Sequence, residues 1–283
     1  MRNIVDSKQY KKTFQEKWTY DNIQKASENN LLWLDFQEDI NWYHHIVDSS
    51  SKIDYLKRDK LFNLVERMKY HFDNIEFIYE DDNIVVVNKP AEIEVVGENS
   101  LTSELCKYYN IASIFPCHRL DRNTTGLVLF AKNEEALNIL LDKFKNREIE
   151  KHYKALVYGI PRKKEDTLTA YLFKDAKKSL VYISDVPKKG YEKIITSYKV
   201  ISCNNKNNTS LLDVNLHTGK THQIRAHLAH IGYPIIGDGK YGDREINKKF
   251  GYKYQQLCSR SLRFCFKTDA GILNYLNNKN VSI

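Results

Sequence analysis

The sequence predicts an α+β fold: a mixed, largely antiparallel sheet with flanking helices, preceded by a small, mostly helical N-terminal segment. After Phe77, segments that alternate like strands outnumber helical ones, and this favours antiparallel or mixed pairing over parallel winding. Residues 1–72 contain no glycine, and their last part, about residues 52–70, shows helical periodicity. The chain has 283 residues, 42% of them hydrophobic, which allows one large domain with a smaller one. We therefore expect an accessory segment at 1–72 and the main domain at 73–283.

The N-terminal segment is aromatic and charged. Leu61, Leu64 and Met68 recur at helical spacing, so we predict an amphipathic helix over about residues 52–70. Trp33 and Trp42 suit the packing of a small subdomain, although exposed aromatic rings also stack on RNA bases. Packing is the more general use of such residues, and the second use stays open.

The main domain opens with two strands around a polar turn, at residues 77–80 and 84–89, and Pro90 ends the second one. The second strand is apolar on both faces, so we expect it at the centre of the sheet. Asn133 is placed as an N-cap for the helix that follows it. The remaining predicted elements are strands at 126–132, 151–158, 194–202, 210–217 and 257–266 and helices at 134–147 and 221–231.

The charge is distributed unevenly. The whole chain has a formal net charge of +8, whereas residues 1–80 are slightly acidic. The basic surplus therefore belongs to the main domain, and a basic domain favours nucleic acid or another polyanion as its partner. A generally basic protein without such a partner is the alternative.

The five cysteines are scattered and contain no Cys-x-x-Cys pair, which argues against a disulfide framework and a structural zinc site. We find neither a signal peptide nor an apolar run of membrane-spanning length. These features lead us to expect a cytoplasmic protein that does not act in a membrane. A nucleophilic role for Cys117 has no further support in the sequence.

The most informative segment runs from His118 to Ala131, where a polar turn leads directly into an apolar strand. Asp121 therefore lies on a loop at the mouth of the sheet, between Arg119 and Arg122. Cationic neighbours favour the ionised form of a carboxylate. An ionised carboxylate among arginines suits chemistry on a polyanion, because the arginines can hold phosphates.

Two further motifs follow in the chain. The strand Lys151–Gly159 contains Tyr153, and the segment 216–242 contains Thr218-Gly219-Lys220 and His222-Gln223-Ile224-Arg225. Together with the His118-Arg119-Leu120-Asp121 segment, they resemble the motifs of the RluA-type pseudouridine synthases, which isomerise uridine in RNA. The resemblance covers about residues 77–266, with all three motifs in order, and implies that family's sheet fold.

The resemblance also implies roles for individual residues. Asp121 corresponds to the catalytic aspartate and Arg225 to the arginine that pairs with it. Tyr153 corresponds to the tyrosine that stacks on the target base and helps with a proton. Arg119 corresponds to the residue that fills the gap left by a flipped base. We also expect RNA contacts from a set of flanking residues. These are Lys89, Arg122, Lys220 and His222.

The reaction involves no redox step and no external group, so no cofactor is expected. The expected partner is ribosomal or transfer RNA, and the expected state is a monomer. Lys220 replaces the family's usual arginine, and no S4-type RNA-binding module is recognisable before residue 73. These departures affect the choice of RNA, which the sequence does not identify.

Two other functions, a metal-dependent enzyme and a non-catalytic RNA-binding protein, are alternatives. Four histidines lie between residues 217 and 230, but neither a His-Glu-x-x-His pattern nor a run of acidic ligands accompanies them, so we expect no metal site. A non-catalytic RNA-binding protein on the same scaffold is the main alternative. Such a protein would keep the basic surface but lose the set of Asp121, Tyr153 and Arg225.

Overall fold

A computed structural model describes residues 75–283, which form one sheet with helices packed against it. The described part of the sheet contains eleven strands. They are β1 (Glu76–Glu80), β2 (Ile84–Lys89), β3 (Phe115–Pro116), β4 (Thr125–Ala131), β5 (Ile149–Tyr158), β6 (Glu165–Asp175), β7 (Leu180–Ser184), β8 (Glu192–Asn204), β9 (Thr209–Leu216), β10 (Leu257–Phe264) and β11 (Asn280–Ser282).

The strand order is β1-β2-β4-β10-β5-β9-β8-β6-β7, with β3 paired to β4 and β11 to β10. Every pair of these strands is antiparallel except β4 and β10, which run parallel. The predicted mixed, largely antiparallel sheet with flanking helices is therefore confirmed. The predicted N-terminal helix and the boundary between residues 72 and 73 lie outside the described residues and stay predictions.

Four α-helices and one 3-10 helix flank the described sheet. They are α1 (Leu101–Tyr109), α2 (Glu134–Lys145), α3 (Gln223–His230), α4 (Arg244–Phe250) and the 3-10 helix Gly271–Leu276. Helix α2 begins as predicted, because the Asn133 side chain accepts a hydrogen bond from the Ala136 amide. Its Ala136 and Leu140 pack in the core with Leu127 and Leu129 of β4.

Helix α3 begins two residues later than predicted. His222 precedes it with φ of 53°, in the left-handed region that is unfavourable for a residue with a Cβ. Ala226 of α3 packs on strands β6–β8 through Ala170, Leu172 and Ile194. The strained residue thus lies where the chain leaves β9 and turns onto this face of the sheet.

The prediction that β2 is central is confirmed, since it lies between β1 and β4 and its first four residues are buried. The predicted strands 194–202 and 210–217 are present as β8 and β9, which pair as an antiparallel hairpin. Within residues 75–283, no helix is both long and apolar enough to span a membrane.

Candidate active site

The loop that carries Asp121 joins β3 to β4 and is fixed from both sides. Leu120 is buried, and the Thr124 amide donates to the Asp121 carbonyl at 3.0 Å, which closes the turn. On β4, Gly126 has φ of +106°, and a Cβ there would lie 2.2 Å from the Ser259 carbonyl oxygen of β10. Glycine at this position allows the two parallel strands to approach next to the loop.

Lys89 stabilises the same loop through hydrogen bonds inside the protein. Its ammonium is completely buried and donates to the carbonyl oxygens of Pro90 (2.7 Å), Ile93 (2.8 Å) and Arg122 (2.9 Å). Burial lowers the pKa of Lys89 to about 8, with the charge of Asp121 opposing this shift. The prediction that Lys89 binds a phosphate is wrong, because all three of its donors are used inside the protein and no surface is left for RNA.

Arg225 connects the Asp121 loop to α3. Its Nη1 donates to Oδ2 of Asp121 at 2.8 Å, although 104 residues separate the two in sequence. The predicted proximity of these side chains is confirmed. The carboxylate remains partly accessible, with 24% of the Asp121 side chain exposed against 6% for Arg225.

Asp238 holds the other edge of the same guanidinium. It accepts from Nε of Arg225 at 2.7 Å and from Nη2 at 2.9 Å, and it is fully buried. Burial opposes the charge of Arg225, but the hydrogen bonds and charges of Asp238 and Asp121 raise its pKa above the ordinary value. The bidentate pair fixes the plane of the guanidinium, so that Nη1 points at Asp121.

Tyr241 and His222 complete the wall beside Arg225. The Arg225 guanidinium lies 5.4 Å from the centre of the Tyr241 ring, and the Tyr241 hydroxyl is 2.8 Å from Nδ1 of His222. Nε2 of His222 lies 3.9 Å from Oδ1 of Asp121. Burial lowers the pKa of His222, with Asp121 opposing the shift, which favours the neutral imidazole near neutral pH.

Tyr153 reaches this site from the middle of β5. It pairs with Ser259 of β10, which in turn pairs with Gly126 of β4, so three adjacent strands place it level with the end of the Asp121 loop. The ring is buried, and burial together with the charge of Asp121 raises the pKa of the phenol above its ordinary value. Tyr153 is therefore a neutral aromatic ring with a hydroxyl donor at neutral pH.

Asp121, Tyr153, His222 and Arg225 line a cavity of about 850 Å³. Its walls carry a strong excess of basic over acidic residues, with Glu94 and Asp121 as the acidic ones. The basic ones are Arg119, Arg122, Lys151, Lys174, Lys220, Arg225, Lys240 and Lys253. Such a cavity attracts a polyanion and has room for a nucleotide.

The predicted RNA-contacting residues other than Lys89 do lie at this cavity. Arg119 and Arg122 are exposed, and Nε of Arg122 donates to the Glu92 carbonyl. Lys220 forms an ion pair with Glu192 on the surface. A second cavity of about 700 Å³ borders Lys154 and Cys203, and it contains neither Asp121 nor Arg225.

The histidine cluster is explained by individual hydrogen bonds. His217 bonds to Ser197, His227 to Thr196 and His230 to Asp185. Over residues 75–283, no three side chains of His, Cys, Asp or Glu are grouped so that they could hold a metal ion.

Three residues of the site were not singled out in the sequence. Asp238 and Tyr241 lie in a glycine-rich stretch that has the composition of a turn, and only the contact of Asp238 with Arg225 identifies its part in the site. Lys151 could have been found, because a strand places residues i and i+2 on one face and Lys151 precedes Tyr153 by two.

Comparison with known proteins agrees with this geometry. The sequence profile of RNA pseudouridylate synthases matches residues 83–230 of the chain, more than half of its length. The chain belongs to this family. Asp121, Tyr153 and Arg225 all lie within the matched region, whereas Asp238 lies beyond it.

Curated relatives come from several bacteria. The ribosomal large subunit pseudouridine synthase C of Rickettsia prowazekii is 37% identical over 174 residues, which are 60% of this chain and 57% of the relative. An uncharacterised RNA pseudouridine synthase of Mycoplasma genitalium is 34% identical over 207 residues, 68% of this chain and 64% of the relative. The chain thus matches somewhat more than half the length of these pseudouridine synthases.

Two solved structures share the fold. Human RNA pseudouridylate synthase domain containing 1 superposes with a TM-score of 0.61 at 23% identity, covering 75% of this chain and 83% of the human one. Human RNA pseudouridylate synthase domain containing 4 gives a TM-score of 0.61 at 22% identity, covering 78% and 91%. The sheet described above is therefore the pseudouridine synthase fold.

Proposed function

We propose that this chain isomerises uridine to pseudouridine in RNA, with Asp121 as the catalytic carboxylate. The observation that carries the proposal is the carboxylate of Asp121, bound to Arg225 at 2.8 Å and open to a cavity lined with basic residues. Family membership supports the same reaction.

Asp121 acts at C1′ of the target nucleotide. The N1–C1′ bond must break, and the uracil must rejoin through C5, so positive charge develops at C1′ as it does in glycoside chemistry. A carboxylate can add to C1′, or it can remove the 2′ proton to give a glycal, and both routes remain open here. Arg225 keeps the carboxylate in one orientation through either route.

Tyr153 holds the detached uracil while it turns. A flat aromatic ring gives a stacking surface that does not depend on the orientation of the base. Because the pKa of the phenol is raised by burial and by Asp121, tyrosinate is scarce near neutral pH. The Tyr153 hydroxyl can therefore donate a hydrogen bond to the uracil and assist as the proton leaves C5 for Asp121 or water.

The target uridine reaches the cavity by base flipping, since its C1′ is inaccessible within folded RNA. Arg119 is exposed at the rim and fills the gap in the stack, while Arg122, Lys220 and His222 contact the RNA around the cavity.

The substrate is ribosomal or transfer RNA, and the name of the Rickettsia relative makes large-subunit ribosomal RNA the first to test. We further propose that the protein works as a cytoplasmic monomer without a cofactor. Support for the compartment comes from its cysteines, all of which are free among residues 75–283.

Pseudouridine mapping of total RNA from cells with and without the gene tests this function and identifies the site. In parallel, the purified chain and its Asp121→Asn variant are incubated with the RNA that the mapping identifies. We expect the variant to lose turnover completely while its affinity for RNA stays within about threefold, because the basic surface is unchanged. A variant with a tenth or more of wild-type turnover would contradict the assigned role.

The alternative is an RNA-binding protein without catalysis. It predicts that the wild-type chain and Asp121→Asn bind RNA equally and that neither changes the pseudouridine content. The same two measurements therefore separate the alternatives.

A further inference from the structure

Lys151 is a mostly buried cation at the cavity that has no assigned function. It lies on β5 two residues before Tyr153, on the same face of the strand, and both line the cavity that contains Asp121. Its ammonium is 5.2 Å from the centre of the Phe144 ring. Burial lowers the pKa of Lys151, as expected when an ammonium has lost much of its water.

No acceptor in the described part of the chain compensates for this loss of water. Lys89 and Lys143, which are more deeply buried than Lys151, each have three hydrogen bonds to oxygen atoms. Lys151 has neither a hydrogen bond nor an ion pair within residues 75–283, and the nearby ring offers only a cation–π contact. A charge that has lost much of its water and has no acceptor destabilises the folded chain, which suggests that the ammonium of Lys151 has a ligand.

His118 does not provide the missing acceptor. Its Nε2 accepts from the Leu129 amide at 3.1 Å, so in the neutral ring Nδ1 carries the proton. Burial and the charge of Lys151 lower the pKa of His118 to about 3, which keeps the ring neutral. The neutral ring of His118 therefore has no free lone pair to offer the ammonium of Lys151.

The space on the cavity side of Lys151 is bordered by Gly219. A Cβ at residue 219 would lie 3.4 Å from Nζ of Lys151, so any larger side chain would extend over the ammonium. Glycine leaves this approach open. The loop Thr218-Gly219-Lys220 therefore leaves an anion access to a cation that lines the cavity.

We propose that Lys151 binds a phosphate group of the nucleotide held in the cavity. The inference rests on the proposed function, since it assumes that the cavity receives a nucleotide. A phosphate oxygen is the acceptor that the ammonium lacks, and the bound anion restores charge balance next to Tyr153 and Asp121. Lys151 would thus set the depth at which the nucleotide sits.

The test compares the affinities of uridine 5′-monophosphate, uridine 3′-monophosphate and uridine for the full chain by ligand-observed NMR. We expect one of the phosphates to raise the affinity of the wild-type chain about tenfold or more, the size of one charge-assisted hydrogen bond. Lys151→Met should lose that gain and keep the affinity for uridine. The two monophosphates show which side of the nucleotide Lys151 contacts.

Lys154→Met is the matched control, because Lys154 is exposed on the opposite face of β5 and the change in net charge is the same. It should keep the preference for the monophosphate. Lys151→Met should also unfold at the same or a higher temperature in phosphate-free buffer, since it removes a buried charge that has no acceptor.

The proposal is overturned if neither monophosphate binds better than uridine, or if Lys151→Met keeps the full preference. It is also overturned if Lys154→Met loses the preference equally. None of these measurements requires turnover, so they can fail while pseudouridine is formed, and they can succeed while it is not.

Discussion

Replacing Asp238 with asparagine tests how far the geometry of Asp121 and Arg225 depends on a residue that does not line the cavity. The change keeps the size of the side chain but removes its charge. Oδ1 of Asp238 accepts from Nη2 of Arg225 and from the amides of Lys240 and Tyr241, and Oδ2 accepts from Nε of Arg225. In the variant an amide NH₂ group takes the place of Oδ2 and faces the Nε–H donor.

The cost follows from these contacts. One charge-assisted hydrogen bond is lost, and two donors are brought together in a site where Asp238 is fully buried and Arg225 nearly so. Removing one partner of a buried ion pair costs about 3–5 kcal/mol. Arg225 keeps Asp121 as a counter-ion, so we expect a loss of about 2–4 kcal/mol in the free energy of unfolding.

Urea unfolding followed by circular dichroism measures this loss, and it should depend on pH. Burial opposes the ionised form of Asp238, but the hydrogen bonds and charge of Arg225 lower its pKa in the folded state. The stabilisation is therefore present above the unfolded pKa of about 4 and disappears as the pH falls through the folded value. The stabilities of the variant and the wild type should converge in that acidic range.

Asp185→Asn serves as the control, since 81% of the Asp185 side chain is exposed in its pair with His230. It should change stability by less than about 0.5 kcal/mol. On the identified RNA, Asp238→Asn should lower kcat by about tenfold to a hundredfold with little change in KM. The guanidinium of Arg225 still pairs with Asp121 in the variant, but its plane is no longer fixed, so the carboxylate is held less firmly in its reactive orientation. Stability and kcat both equal to those of the wild type would refute the reasoning.

Two further changes test the support of the site and the source of RNA affinity. Gly126→Ala should lower the free energy of unfolding by about 3 kcal/mol or more, because its Cβ would meet the Ser259 backbone at 2.2 Å. Gly97→Ala, also at positive φ but with open space around it, should cost about 1 kcal/mol. Equal losses for the two variants in urea unfolding would contradict the clash. A chain that begins at Asp73 should keep the slope of log Kd against log salt concentration for RNA, because the basic surplus lies after residue 80. A much shallower slope would show that residues 1–72 contact RNA phosphates.

The predictable part of the fold was the part with strong periodicity. The apolar run of β2 and the capped helix after Asn133 were readable because burial on both faces and an N-cap each leave a local signal. The hairpin of β6 and β7 was not predicted. Its strands are half exposed and its turn is rich in lysine, so its local composition resembles a loop. Pairing with β8 and packing against Ala226 of α3 stabilise it, and both contacts form only in the folded chain.

The site likewise has a part that was predictable and a part that was not. The pairing of Asp121 with Arg225 was expected, because the resemblance links these two positions across the sheet. The error at Lys89 has a physical cause: a lysine next to a catalytic loop suggests phosphate binding, while the carbonyls that enclose it come from residues 90, 93 and 122 and converge only after folding. The role of Asp238 was missed for the same reason, since only the folded chain brings it into contact with the Arg225 guanidinium.

Because Lys89 points into the protein, the shape of the Asp121 loop and its contact with RNA depend on different side chains. The loop obtains its shape from a strand residue on the side away from the cavity, so its order is established during folding and not when a ligand binds. Side chains on its outer surface can change without loss of the three hydrogen bonds that Lys89 donates. Selectivity can thus evolve, or be engineered, at the rim of the cavity while the carboxylate keeps its position.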